Sequence, residues 1–268
     1  MKRSAQIISE AEVFIITAGA GMGVDSGLPD FRGNEGFWEA YPPYAKLGVS
    51  FIGMANPDNF ETDPAFAWGF YGHRTNLYRD TVPHKGFHIL KNWIESKNAD
   101  YFVVTSNVDG QFQKAGFDEE RILEVHGSIH WLQCLKPCSN EIWGNFEAYH
   151  VDSNSMRVDR IPVCPNCDEI SRPNILMFGD CSWISDRKDY QQLRYRQFRQ
   201  ANIGKRIVVI ELGAGKAIPT IRYISEQLGM EDKVSVIRIN PRESEIKQPH
   251  ISIGSASLEA LMYIDSLL

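Results

Sequence analysis

Several groups of residues carry more chemistry than packing requires. Cys134-x3-Cys138 and Cys164-x2-Cys167 are two short-spaced thiol pairs well apart in the chain. Such pairs suit a tetrahedral structural zinc, and four thiolate ligands leave no open position for catalysis. Two disulfides are the rival reading, disfavoured in a reducing cytoplasm. Thr105-Ser106-Asn107-Val108-Asp109 sets an amide and a carboxylate after an apolar run, and His126-Gly127 follows another. Imidazole titrates near neutral pH and can take a proton from a hydroxyl. Taken alone, an Asn/Asp turn after a strand is ordinary, and one histidine of seven is more often packed or exposed than catalytic. Gly19-Ala20-Gly21-Met22-Gly23 can turn tightly and bring phosphate oxygens against backbone N–H groups. Its continuation, Pro29-Asp30-Phe31-Arg32-Gly33, adds a carboxylate, an aromatic face and a guanidinium. Tyr71 and Arg74 would share a helix face, so phenol and guanidinium could meet one carboxylate; a plain surface pair is the alternative.

These groups need a scaffold. The apolar runs Val13–Thr17, Tyr101–Thr105, Arg121–Val125, Ile207–Leu212 and Val234–Ile239 are short and nearly continuous. That pattern predicts parallel strands buried on both faces. Helical spacing lies between them. Phe87, Leu90 and Ile94 share a face near 84–97, as do Ile221, Ile224 and Leu228, with Gly229 as the stop. Leu258, Leu261 and Ile264 form a last stripe, and Ser185 is the expected cap of a polar helix ending before Gly204. Alternating strands and helices predict an α/β fold with a Rossmann-like, doubly wound parallel sheet. Residues 36–82 and 127–171 break the rhythm. They are expected to form a smaller zinc-binding and helical domain, with 1–35, 83–126 and 172–268 forming the sheet domain. A cleft between the two is the expected ligand site.

The bulk composition excludes several classes. A net charge of −6 argues against a general nucleic-acid binder. No apolar run reaches a membrane span, and Glu10 and Glu12 interrupt any signal-peptide core. A hydrophobic fraction of 43% and a charged fraction of 23% describe an ordinary globular protein, expected in the cytoplasm with no membrane and no direct nucleic-acid partner. Cys181, the fifth cysteine, is expected to be a small buried side chain.

The segments, in this order and spacing, resemble the sirtuins, the NAD-dependent protein deacylases of the silent-information-regulator family. The loop from Gly19 to Gly33 is similar to that family's GAG-I-S-x-x-SGIPDFRG signature, and the resemblance covers nearly the whole chain. It implies NAD as co-substrate, a structural zinc on Cys134, Cys138, Cys164 and Cys167, and acyl-lysine proteins as substrates. It implies that Gly19, Ala20, Gly21, Asp30, Phe31, Arg32, Ser106, Asn107 and Asp109 contact the cofactor. Asn107 would hold the nicotinamide-side ribose and a water, and Asp109 the carboxamide. His126 would be the base: once the acyl oxygen has attacked C1′ and released nicotinamide, it would activate the ribose hydroxyls so that the 2′-oxygen attacks the imidate. His130 lacks that motif context.

The resemblance places Phe178 and Gly179 in the segment where an acylated peptide adds as a strand, with Asp180 where the family has Glu. Tyr71 and Arg74 resemble the pair in sirtuins that remove succinyl, malonyl or glutaryl groups. The chain departs from the family at Ser106, where the family has Gln, and at Gly213-Ala214-Gly215, where it has Gly-Thr-Ser. Both hydroxyls are lost there, and Lys216 could add charge. Asn240 matches an Asn at the adenosine ribose and Ala256 an adenine-side contact. The implied function is an NAD-dependent lysine deacylase yielding nicotinamide, O-acyl-ADP-ribose and free lysine. The alternatives are an ADP-ribosyltransferase or NAD hydrolase on the same scaffold and, further off, an NAD or ADP-ribose sensor.

Overall fold

The structure is a computed structural model and describes residues 1–29, 42, 45, 48 and 50–268. Helix α1 (Lys2–Glu10) leads to strand β1 (Val13–Ala18) and two 3-10 turns, Ala20–Met22 and Val24–Ser26. Helices α2 (Phe51–Met54), α3 (Asp58–Thr62), α4 (Pro64–Asp80) and α5 (Lys85–Ser96) precede β2 (Asp100–Thr105), α6 (Gln111–Lys114) and β3 (Ile122–Glu124). Then come β4 (Gly127–Cys134), β5 (Ile142–Gly144), β6 (Val151–Asp152), β7 (Arg157–Val158) and β8 (Ser171–Ile175). Helix α7 (Asp186–Ala201), β9 (Ile207–Leu212), α8 (Thr220–Leu228), β10 (Val234–Ile239), β11 (Ile251–Ile253) and α9 (Ser257–Asp265) complete the chain.

Six strands form one parallel sheet in the order β11-β10-β9-β1-β2-β3. Strand β1 shows why the sequence runs are continuous. Phe14, Ile16 and Ala18 face a core shared with α1, α5 and α9, while Val13 and Ile15 face a second core shared with α7 and α8. With period two and both faces covered, apolar residues fill all positions but Thr17, whose buried hydroxyl pairs with that of Ser225 at 2.9 Å. This is the expected doubly wound α/β sheet. A third core joins Phe60, Trp68 and Tyr71 of the helices before residue 81 to Ile129 and Leu132 of β4 and to Met156. Beside it, β5, β4 and β8 form an antiparallel sheet. Among the described residues no helix is long and apolar enough to cross a membrane.

One local expectation holds for a different physical reason, and two are corrected. Helix α8 does end before Gly229, but Gly229 keeps right-handed angles (φ −65°, ψ −13°). Space is the constraint there: a Cβ would lie 2.6 Å from His250 Nε2. Ser185 stands at the N-cap of α7 without a side-chain capping bond, and its hydroxyl donates to the Asp189 carboxylate at 2.5 Å instead. Cys181 is exposed, not buried. Asp180 accepts the Ser182 N–H at 3.1 Å, a turn that throws residue 181 outward.

Candidate active site

A cleft of about 320 Å³ opens where β1, β2 and β9 end, and most of the expected site residues line it. Gly19 and Ala20 come from the turn after β1, Ser106, Asn107 and Asp109 from the turn after β2, and His126 from the end of β3. Gly213, Ala214 and Gly215 follow β9; Tyr71 and Arg74 project from α4; Phe178 closes the near wall. Asp30, Phe31 and Arg32 lie outside the described residues. Gly21, Gly179, Asn240 and Ala256 do not line the cleft.

The two glycine loops are built against each other. Gly213 has φ +61°, and a Cβ there would collide with the backbone of Gly21 and Met22. The Gly21 N–H donates to the Gly213 carbonyl at 3.0 Å. Gly21 is therefore a packing surface for the second loop. Asn240 is fully buried behind that loop: Nδ2 donates to the Ala214 carbonyl at 2.9 Å, and Oδ1 accepts the N–H groups of Arg242 and Glu243 at 3.0 and 2.9 Å. Ala256 stands at the N-cap of α9. The Lys216 ammonium lies 3.5 Å from the Glu245 carboxylate, and the Lys216 backbone N–H donates to the Glu243 carboxylate at 2.9 Å.

The end formed by β2 and β3 is rich in side-chain bonds. Thr105 Oγ1 takes the Asn107 N–H at 3.0 Å, and Asn107 Nδ2 donates to the Gly19 carbonyl at 3.0 Å, fixing the amide. Asp109 is 8% exposed, and burial pushes its carboxyl up to about 6; the Gln111 N–H, donated at 3.0 Å, opposes that shift, and the Glu124 carboxylate adds to it. His126 is half-buried, and desolvation holds its imidazole below the usual range while a hydrogen bond to the Ser106 backbone pulls the other way. Gly127 after it has φ +78°, and a Cβ there would strike the Asn174 carbonyl, so glycine at this position is a steric requirement of the β4–β8 pairing. His130 does not line the cleft; its Nε2 lies 2.9 Å from the Asp109 carbonyl and it supports that turn.

In the wall from α4, Tyr71 is 1% exposed and burial raises its phenol to about 12. Arg74 donates from Nε and Nη2 to Tyr78 Oη at 3.0 and 2.6 Å. Tyr78 was missed by motif reading, although its i+4 spacing from Arg74 is a usable signal. The apolar lining residues Ile175, Met177, Ile218 and Ile221 carry no signal that separates cleft from core. The Phe178 N–H donates to the Ala55 carbonyl at 2.9 Å. Asp180, ion-paired with fully buried Arg172, also accepts the Met177 N–H at 3.2 Å and so knots this segment.

Away from the cleft, the sulfurs of Cys134, Cys138, Cys164 and Cys167 all lie within 4.8 Å of one another, with two pairs at 3.7 Å. A zinc with bonds of about 2.3 Å at the centre of a regular tetrahedron sets its ligands roughly 3.8 Å apart, so the four sulfurs fit that ion.

A family model described as the Sir2 family matches residues 19–201. The chain belongs to the Sir2 family. Among relatives, this Sir2-family chain is 27% identical over 232 residues to an NAD-dependent protein deacylase of Aquifex aeolicus, covering 87% of this chain and 84% of that one. It is 28% identical over 247 residues to an NAD-dependent protein deacylase of Pyrococcus abyssi, covering 90% and 87%. A solved structure of a Sir2 homologue–NAD complex superposes with a TM-score of 0.73 at 22% identity, covering 99% of this chain and 93% of that one. At that identity the likeness is one of fold.

Proposed function

We propose that this chain is an NAD-dependent protein lysine deacylase that releases nicotinamide and free lysine and leaves the acyl group on ADP-ribose. The observation that carries the reading is the convergence of Asn107, Asp109 and His126 with both glycine loops on one cleft of a Sir2-family chain. Bound NAD supplies the electrophilic C1′ carbon and the ribose hydroxyls that take the acyl group. This chain's residues do the rest. The backbone of the two glycine loops receives the phosphates. Asn107, with Nδ2 committed to Gly19, keeps Oδ1 to accept from a ribose hydroxyl or a water. Asp109, a carboxylate at neutral pH, accepts from the carboxamide. His126, held neutral at pH 7 by its lowered pKa, takes a proton from a ribose hydroxyl at a ring nitrogen. Cys134, Cys138, Cys164 and Cys167 hold a structural zinc that fastens β4 to the segment before β8.

The finer reading is a preference for acyl groups ending in a carboxylate, succinyl, malonyl or glutaryl. It is supported by Tyr71 and Arg74 lining the same cleft as His126 and by the near-complete burial of the guanidinium. A charge-assisted bond there has a large effect because water does not compete for it. Action in the cytoplasm, on acyl-lysine proteins, belongs to the same reading and is supported by thiols set for a metal. So does the division into a sheet domain (1–35, 83–126, 172–268) and a smaller domain (36–82, 127–171), supported by a third core drawn mainly from the latter, with Leu28, Val108, Ile175 and Met177 joining it from the sheet domain. The test is incubation with NAD and a succinylated peptide, an acetylated peptide, or none. Conversion of both peptides with succinyl preferred is expected. Equal NAD consumption without peptide would replace this reading by an NAD hydrolase.

A further inference from the structure

One buried titratable side chain that the mechanism does not use joins two elements behind the first glycine loop. His84 stands at the N-cap of α5 and is 8% exposed. A backbone N–H can only donate, so the 3.0 Å bond from Gly86 N makes His84 Nδ1 the acceptor. The ring proton then sits on Nε2, which donates to the Met22 carbonyl at 2.9 Å. The His84 N–H donates to Ser26 Oγ, also at 2.9 Å. One residue thus holds both 3-10 turns of the loop, Ala20–Met22 through its ring and Val24–Ser26 through its backbone. The ring can fold over the first turn of α5 only because residue 86 is glycine: a Cβ there would lie 2.5 Å from His84 Cε1. On the opposite side, the Met22 amide is packed against Gly213 of the second loop. The turn whose Gly19 and Ala20 line the cleft is therefore gripped between the second loop in front and His84 behind.

We infer that His84 is a positioning residue for the dinucleotide: through the Met22 carbonyl it holds the first glycine loop in the shape that receives NAD, without touching the cofactor itself. This rests on the reading of the cleft as an NAD site. Losing the bond lets the loop leave that shape part of the time, and apparent affinity falls by the fraction of loops still competent, about five- to tenfold for one hydrogen bond.

Two conservative variants separate positioning from structure, because each preserves one half of the imidazole. Asn places an acceptor near Nδ1, which caps α5, but cannot reach Met22. Gln places a donor near Nε2 but cannot cap. The measurements are calorimetric titration of the full chain with ADP-ribose, steady-state kinetics in NAD, and thermal melting. His84→Asn should weaken ADP-ribose binding and raise KM for NAD about five- to tenfold, with kcat within about twofold and Tm nearly unchanged. His84→Gln should bind ADP-ribose within about twofold of wild type although its Tm falls. Affinity that follows Tm across the two variants, or wild-type affinity in His84→Asn, overturns the inference. Should either variant fail to fold, the other still decides, because each makes its own prediction about affinity. A wild-type protein that does not bind ADP-ribose refutes the NAD reading itself, an outcome separate from the failure of His84.

Discussion

The two ends of the cleft are made of opposite materials. At the end where β2 and β3 stop, the groups that face inward are titratable side chains under electrostatic stress: Asp109 raised to about 6 and His126 lowered, both chiefly by burial. At the end where β9 stops, Gly213-Ala214-Gly215 offers only backbone. The polar side chains there lie behind the loop, with Asn240 and Arg222 both bonding the Ala214 carbonyl. On the proposed reading, the difference separates binding from reaction within one cleft. Asp109 and His126 sit at the end where the proposed reaction moves protons, while the other perturbed lining groups, Tyr71 and Tyr78, are phenols on the α4 wall. The other end is a backbone template held from behind, without the Thr and Ser hydroxyls that the family resemblance leads one to expect.

The largest effect would break the comparison from outside the cleft, by loosening the module whose strand β8 leads into the lining residues Ile175 to Phe178. Cys164→Ala should abolish the stoichiometric zinc, one per chain by metal analysis, and melt the module around β4 and β8 before the parallel sheet. Zinc binding there is folding energy, on the order of 10 kcal/mol. Next, His126→Ala should lower the single-turnover deacylation rate about 10²–10⁴-fold while ADP-ribose binding stays within a fewfold, because the template end is untouched. In the wild type the acid limb of the rate profile should fall below the ordinary histidine value of 6.5, since burial depresses the His126 pKa. Arg74→Met should lower kcat/KM for succinyl peptide roughly tenfold to a hundredfold and change acetyl peptide little; equal losses on both would make the Tyr71–Arg74 pair a packing contact.

The smallest effect sharpens the comparison through stability. Asp109 loses its proton near pH 6 in the fold and near 3.8 unfolded, so it destabilises the native state above pH 6 and not below pH 4. Asp109→Asn should therefore stabilise the chain by about 1–3 kcal/mol at pH 7.5, with the gain gone by pH 4, read from denaturant melts at both pH values.

Sequence made the sheet legible because continuous β-branched runs leave few alternatives to strands buried on both faces. His126, Asn107 and Asp109 were legible because they follow such runs, where α/β sheets collect ligand contacts. What stayed hidden is direction. Nothing in Asn240 distinguishes a ribose ligand from a side chain turned inward to hold Ala214. Ile221 reads as a core stripe residue and is both core and cleft lining, because the two use the same residue types. Gly229 reads correctly as a helix stop, but the sequence does not show that its missing side chain makes room for His250, a contact set by strand β10 and the segment after it. His84, adjacent to an ordinary helical stripe, shows its purpose only once Met22 is seen beside its ring.

The central claim is that this cleft couples NAD cleavage to acyl removal. The most direct measurement is mass spectrometry of all products after incubating wild-type protein with NAD and a succinyl-lysine peptide. The account predicts nicotinamide, succinyl-ADP-ribose and free-lysine peptide in equal amounts, with no NAD loss when peptide is omitted. Free ADP-ribose or ADP-ribosylated protein, formed at the same rate with or without acylated peptide, would contradict it.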